Sequence, residues 1–333
     1  MAPIPFILRS MSSQNEIERL QPVLDFWPLG GVRSVTEILN GAVNQVFRIE
    51  ASLGNFYLRL YKTEDRGRVL REHALIEYVA AHNLPAVQTL PSRFGTSLIE
   101  YQGKYGALYF EAPGHQVKKT DLTEVHARAS GTMLAQLHKI LKPLPDAGYR
   151  KYSLNWDARE WIARLDKIET ALLQRPHQSE ADQWVLYRLK DQREWMRNPA
   201  CLHSYVPKYS AQVLHGDYHQ GNLFFQKETV CGVIDWDQAV YMPRGFEVAR
   251  VASYMFDLKR DLTMAFLEAY MALNPLPQEE LEDGAKAWGC HCDHYVWAQE
   301  EIYLHGNERA RVFIPDTPYK PFSEVWAQLT KTL

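Results

Sequence analysis

The stretch HGDYHQGN, residues 215–222, packs two histidines, an aspartate and an asparagine around two glycines, and the strand-like run VCGVIDW, 230–236, follows close behind. His215-Gly-Asp217, then four residues and Asn222, has the H-x-D-x-x-x-x-N spacing of loops that transfer phosphoryl groups. In such a loop the aspartate takes the proton of the attacking hydroxyl, and the asparagine lends an oxygen to Mg²⁺. A hard cation also needs a carboxylate held by fixed backbone. The apolar run 230–234 supplies that support, with Asp235 as its terminal residue. A turn at 227–229 would fold Asp235 back beside Asn222. Asp, Asn and Gly also populate ordinary turns, so the reading needs independent support elsewhere in the chain.

That support lies in the first third. Phosphoryl transfer of this kind needs a cation on a strand and an acid on the next helix to orient it. Residues 34–40, 45–51 and 55–61 read as short strands, rich in β-branched and aromatic residues and separated by Gly41 and by Gly54-Asn55. A helix is predicted over 66–82, then strands in TSLIEY and YGALYFE around QGK. Arg59 stands in the middle of an apolar strand. On the helix, Val69, Glu72, Ile76 and Val79 share one stripe, and a carboxylate there is costly unless paired. Arg59 is its natural partner.

After a linker near 111–115 the pattern turns helical. Asp121 and Glu124 fit a capping box, and helices are predicted at 155–173, 180–197 and from 245 to 305, with NLFFQ and TVCGVIDW as an inserted hairpin. The fold class is α+β in two lobes, a small antiparallel-sheet lobe (1–111) and a larger, mostly helical lobe (112–333).

Taken together, LNGAVNQVFRI, YLRLY, Arg71-Glu72, HGDYHQGN, VIDWDQA and MPRGFEVAR resemble the aminoglycoside phosphotransferase and choline kinase family over about residues 40–325. The resemblance implies a protein-kinase-like fold and transfer of the γ-phosphoryl of ATP, or GTP, with Mg²⁺ to a small-molecule hydroxyl. It implies Asp217 as the catalytic aspartate and Asn222 and Asp235 as Mg²⁺ ligands. Arg59 and Glu72 become the phosphate-positioning pair, Asn44 lies in the nucleotide loop, and the backbone near Glu111 and Ala112 meets the adenine. Two features depart from the family. Arg59 replaces the more usual lysine, and a guanidinium is a fork where an ammonium is a point charge. The loop NGAVNQ carries a single glycine.

Gly216 replaces the arginine of H-R-D, no A-P-E follows, and few residues separate Asp235 from the next helix. A protein substrate would lack a platform, so the expected acceptor is small: an amino alcohol, a homoserine-like amino acid, a sugar or an aminoglycoside. Segments 150–200 and 275–310 would wall its pocket, with Trp156, Trp161, Trp184, Trp195, Trp288 and Trp297 and the acids Asp237, Glu300 and Glu301. The alternatives are a stress-type protein kinase of the same fold and a non-catalytic kinase-like binding protein; retention of Asp217, Asn222 and Asp235 argues for activity. Metallophosphoesterase chemistry would need further Gly-Asp and Gly-Asn-His blocks, which are missing. His215 and His219 are expected to brace the loop, and Glu247 and Arg250 to tie a helix start to it.

The 333 residues are 46% apolar and 23% charged, with net charge −3. That balance suits a folded protein without nucleic-acid or membrane partners, a monomer or homodimer. The N-terminal MAPIPFILRS lacks the basic segment of a signal peptide, and four cysteines form no disulfide framework, so the expected compartment is the cytoplasm. GCHCDH, 289–294, invites a zinc reading through Cys290 and His294. A structural site takes four ligands, however, and adjacent residues on a helix diverge.

Overall fold

The computed structural model describes residues 13–38 and 44–330; Gly41 and most of the nucleotide loop lie outside the described residues. Helix α1 (Ser13–Leu24), which the sequence reading did not include, covers the first sheet. Strands β1 (Val32–Ile38), β2 (Gln45–Ala51) and β3 (Gly54–Leu60) form an antiparallel meander, followed by α2 (Arg66–Ala81), β4 (Thr89–Leu90), β5 (Ile99–Tyr101) and β6 (Lys104–Phe110). The sheet order is β1-β2-β3-β6-β4, with β5 paired to β6. Alternation puts Phe47, Ile49, Leu58 and Leu108 on one face, where Leu20, Val23, Leu24 and Trp27 bury them. The Trp27 indole N–H reaches the Leu90 carbonyl at 2.9 Å and fixes the chain leaving α1.

The rest is mostly helical: α3 (Glu124–Leu141), α4 (Ala158–Leu173), α5 (Glu180–Arg197), then β7 (Ala211–Leu214), the hairpin β8 (Leu223–Gln226) and β9 (Thr229–Val233), β10 (Val240–Pro243), α6 (Arg244–Tyr254), α7 (Arg260–Leu273), α8 (Gln278–Cys292), α9 (Trp297–Tyr303) and α10 (Phe322–Thr330). None of the described helices is long and apolar enough to cross a membrane. α3 and α7 form the centre of the helical core. Their backbones approach so closely at Gly131 that a Cβ there would sit 2.3 Å from the Phe266 carbonyl oxygen.

The start of α3 differs from its reading. Residues Lys119–Asp121 form a separate 3₁₀ turn, Thr123 is the N-cap, and the reciprocal partner of its capping box is His126. Pairing of β7 with β10 was also not foreseen: both are four-residue strands flanking loops, too short for periodicity to show. It closes a loop from 215 to 239 whose two ends are thereby held together.

The lobes meet through backbone. Val233 of β9 donates to Pro85 and accepts from Val87, while His115 and Phe225 exchange hydrogen bonds. Leu75, Ile76 and Val79 of α2 pack into the helical core. The hairpin carrying the loop chemistry is therefore anchored to the sheet lobe.

Candidate active site

His215 to Asn222 follow β7 directly. Gly216 has φ +81°, and a Cβ there would lie 2.0 Å from the Gln238 carbonyl oxygen, so only glycine fits. That contact explains locally why no arginine stands between His215 and Asp217. The buried His215 ring spans the loop: Nε2–H donates to the Ile234 carbonyl at 3.0 Å, and Nδ1 accepts from the Asp217 N–H at 3.2 Å. Burial lowers its pKa, in keeping with this neutral tautomer. His219 Nδ1 accepts from the Gly221 N–H. Both histidines brace backbone.

Asp217 is held from α6. Arg250 Nη2 bonds its carboxylate and Nη1 reaches the Tyr218 carbonyl. Burial would raise the Asp217 carboxyl, but Arg250 and His219 outweigh it and keep the group well below the ordinary carboxylate range. Glu247, one turn before Arg250, is buried. It accepts from the His215 and Gly216 N–H groups and from His138 Nε2 at 2.8 Å. Burial acts to raise its pKa, and His138, His215 and the Gly216 N–H more than compensate. His138 lies on α3 and was not singled out in the sequence; an interior helical histidine there looks like any other core residue.

Asn222 donates from Nδ2 to the Asp217 carbonyl at 2.9 Å and to its carboxylate at 3.2 Å, which turns Oδ1 away from that contact. Its own carbonyl accepts the Ile234 N–H at 3.0 Å, so Asp235 begins one residue from Asn222. β9 ends at Val233 rather than at Asp235, and Asp235 takes a left-handed φ of 65°. This departure from strand geometry is uncommon for a side chain with a Cβ. It redirects the carboxylate toward Arg59 of the sheet lobe, 3.1 Å away.

Arg59 meets Glu72 at 2.9 Å and Asp237 at 2.8 Å. Burial pushes Glu72 up to about 7 despite the Arg59 charge. Behind Arg59 the polar layer of Tyr61, His73 and Tyr109 is hydrogen-bonded. Burial, aided by Arg59, lowers His73 to about 4, so the charges answering Arg59 are carboxylates. Desolvation in the cleft, with Asp237 and Asp217 adding to it, pushes Asp235 up to about 6 against the pull of Arg59. Crowded carboxyl oxygens with an amide oxygen beside them are a donor set that suits a hard divalent cation.

The remaining predicted residues separate. Asn44 Oδ1 accepts the Lys62 N–H at 3.1 Å, tying the entry of β2 to the exit of β3. The Glu111 side chain is spent on Asn55 and Arg48, and Ala112 lies over Gly232 of β9. Asp237, expected in the acceptor pocket, pairs with Arg59 of the sheet lobe. Glu300 grips Arg164, with Nε at 2.7 Å, and Glu301 binds Asn307 and His305. Of the six tryptophans, Trp288 lies beside Arg250, at 5.9 Å. Trp195 bonds Asp293, Trp297 packs on Phe313, Trp184 on Tyr187, and Trp156 and Trp161 surround His294.

Residues not singled out in the sequence gather near Asp217 and Arg250. Tyr254 packs against His219 and under Arg250. Tyr295 lies within electrostatic reach of Asp217 and Arg250. His291 packs tilted against Tyr152 at 4.4 Å, and its buried Nδ1 has no hydrogen-bond partner among the described residues. Arg150 bonds Gln238 Oε1 at 2.8 Å and Tyr152 Oη at 3.1 Å, with no carboxylate partner among the described residues. Tyrosines and histidines on core helices carry no periodic signal that separates a pocket from packing, which is why the sequence concealed them.

This architecture and this loop define a phosphotransferase built on the protein-kinase plan. The sequence profile of the phosphotransferase enzyme family (APH) matches residues 34–282, and the chain belongs to that family. It is similar to a homoserine kinase of Methylobacillus flagellatus, 24% identical over 81% of this chain and 80% of the relative. Among solved structures it is similar to a spectinomycin phosphotransferase in complex with ADP and spectinomycin (TM-score 0.64, 13% identity, 97% of this chain, 100% of that one). A second is an amicoumacin kinase in complex with AMP-PNP and Ca²⁺ (TM-score 0.56, 16% identity, 93% and 97%). The protein is an ATP-dependent kinase of a small-molecule hydroxyl.

Proposed function

We propose that the chain moves the γ-phosphoryl of ATP to the hydroxyl of a small amino-acid-like acceptor, with Mg²⁺ held by Asn222 and Asp235. Held by the Asn222 amide oxygen and the Asp235 carboxylate, such an ion would neutralise phosphate charge. Arg59, steadied by Glu72, turns its guanidinium to the phosphates in place of Asp235 and Asp237. The peptide groups around Glu111 and Ala112 receive the adenine. Asp217 orients the hydroxyl. As the new oxygen–phosphorus bond forms and the bond to the β-phosphate oxygen breaks, Asp217 takes the proton, passes it to solvent, and ADP leaves. Its depressed pKa makes it a weak base at rest, so proton transfer comes late and positioning carries most of the rate.

The observation that carries this reading is Asn222, whose amide nitrogen is committed to the catalytic-loop Asp217 while its backbone carbonyl is bonded to Ile234, the residue before Asp235. For the acceptor, Arg150 without a carboxylate partner and the aromatic surround favour a zwitterion bearing a carboxylate over a polycation. Glu300 and Asp237 are already taken by arginines. The relatives named homoserine kinase support the same class. Only residues 236–243 separate Asp235 from α6, which disfavours a protein acceptor.

The test is ADP release with homoserine, other hydroxy-amino acids, choline, sugars and aminoglycosides. Homoserine-like acceptors should turn over, and Asp217→Ala should lower kcat by about 10³-fold or more while ATP still binds. Full activity of that variant would refute the assignment of Asp217; preference for a polycation would refute the acceptor class.

A further inference from the structure

The segment GCHCDH has no part in phosphoryl transfer. Its last residue, His294, meets two residues from a distant stretch, Cys201 and His203, in the irregular connection between α5 and β7. One ligand atom from each of the three lies within 4.8 Å of the other two. Cys201 and His294 are buried.

Backbone carbonyls fix the tautomers. His294 Nδ1 lies 2.7 Å from the Cys290 carbonyl oxygen, which can only accept, so the ring proton sits there and the Nε2 lone pair faces inward. His203 Nε2 lies 2.9 Å from the Met196 carbonyl oxygen, so its Nδ1 lone pair also faces inward. The two inward nitrogens are 3.0 Å apart. Neutral rings so held aim lone pairs at each other, and no hydrogen bond satisfies both. A metal ion bound by both removes the conflict. Ring N–H groups donating to carbonyls are the outer brace that metal-binding histidines use. Ligand nitrogens of a tetrahedral site with bonds of about 2.0–2.1 Å stand about 3.3 Å apart, close to the spacing here.

We propose that Cys201, His203 and His294 form a binding site for a divalent ion of the zinc type, with a water in the remaining position. One sulfur and two imidazoles suit such an ion and not Mg²⁺, which keeps to the oxygens of Asn222 and Asp235. Binding displaces the thiol proton to solvent. Cys290, the i,i+4 partner suggested by the sequence, contributes its carbonyl and not its sulfur. The ion would clamp the 198–206 segment onto the end of α8. That segment is otherwise held by backbone bonds, Trp156 N–H to the His203 carbonyl and Tyr205 N–H to the Leu154 carbonyl among them, and by the Tyr205 hydroxyl on Asp283 of α8. His291, beside the acceptor side, lies less than one turn away on the same stretch.

The full chain, carrying no histidine tag and stripped with a chelator, would be titrated with Co²⁺ in excess Mg²⁺, which occupies the oxygen site. The expected result is one equivalent of Co²⁺ with a sulfur-to-cobalt charge-transfer band, displaced by Zn²⁺, and a rise in Tm on adding Zn²⁺. Cys201→Ser should abolish the band and weaken Zn²⁺ by more than about 100-fold, while Cys290→Ser keeps both. Metal-free wild type and Cys201→Ser should melt together, which separates ligand loss from misfolding. If Cys201→Ser does not fold, His203→Gln, at the half-buried member, should show the same loss of affinity. Absence of the band and of Zn²⁺ retention at micromolar concentration would overturn the proposal and leave a proton shared between the rings. Survival of the band in Cys201→Ser would overturn it too, by placing the ion elsewhere.

Discussion

The two sides of the cleft are built from different materials. On the phosphate side, Arg59, Glu72, Asp235 and Asp237 form a chain of ion pairs between the sheet and the hairpin. On the other side, Tyr254 and Tyr295 lie within electrostatic reach of Asp217, Tyr152 and His291 pack behind them, and Arg250 is the buried cation among them. Charged groups buried in pairs tolerate little variation, because removing one leaves the other unpaired. Aromatic walls can be recut to a new acceptor with modest loss. One fold can thus keep a fixed nucleotide chemistry and a changeable acceptor pocket.

The sharpest way to break this contrast is Arg250→Met. It removes the cation from both Asp217 and the neighbourhood of Glu247, and should cost about 3–5 kcal/mol of stability along with most of kcat. Urea unfolding and single-turnover assays would show it. A stable, active variant would mean that Asp217 needs no counter-charge.

Arg59→Ala comes next. It leaves Glu72 buried alone, and should raise the KM for ATP by about tenfold or more while the acceptor KM changes little. Arg59→Lys should recover part of the loss, since a point charge can face one carboxylate but not the fork of three. Equal effects on both substrates would erase the division between the two sides.

Away from the cleft, Asp182 links the start of α5 to Tyr303 and Arg311. Burial would raise its pKa, but bonds from Tyr303, Ser179 and Arg311 outweigh this and hold it well below its ordinary value. Its contribution is therefore present above the unfolded pKa of about 4 and is lost as pH falls toward the depressed folded value. Asp182→Asn should lower stability by about 1–3 kcal/mol at pH 7 and flatten the acid side of the stability profile. A wild-type slope in the variant would assign that acid limb to other carboxylates.

The smallest effect is expected at Tyr295→Phe and His291→Ala, a few-fold change in acceptor KM with ATP KM unchanged. A large loss of kcat in either would move it from the pocket wall into the catalytic machinery.

Legibility followed the same division. Asp217, Asn222, Asp235, Arg59 and Glu72 are singled out by residue type and spacing together, and the structure brings them near one another. The meander and α2 were readable because alternation and the helical stripe are local patterns. Asp237, expected in the acceptor pocket, lies in the 3₁₀ turn after Asp235 and pairs with Arg59. The capping of α3 shifted because Thr123 and His126 made the reciprocal pair in place of Asp121 and Glu124.

By itself, then, the sequence determined the phosphate chemistry, because each of those residues is constrained by bonding requirements that act over a few positions. Tertiary structure alone decided who stands opposite whom across the cleft: that His138 backs Glu247, that tyrosines from separate segments converge on Asp217, and that His294, with Nδ1 on the Cys290 carbonyl, turns Nε2 to Cys201 and His203. Those partners lie up to 109 residues apart, and their meeting depends on how helices pack, which no local pattern of side chains encodes.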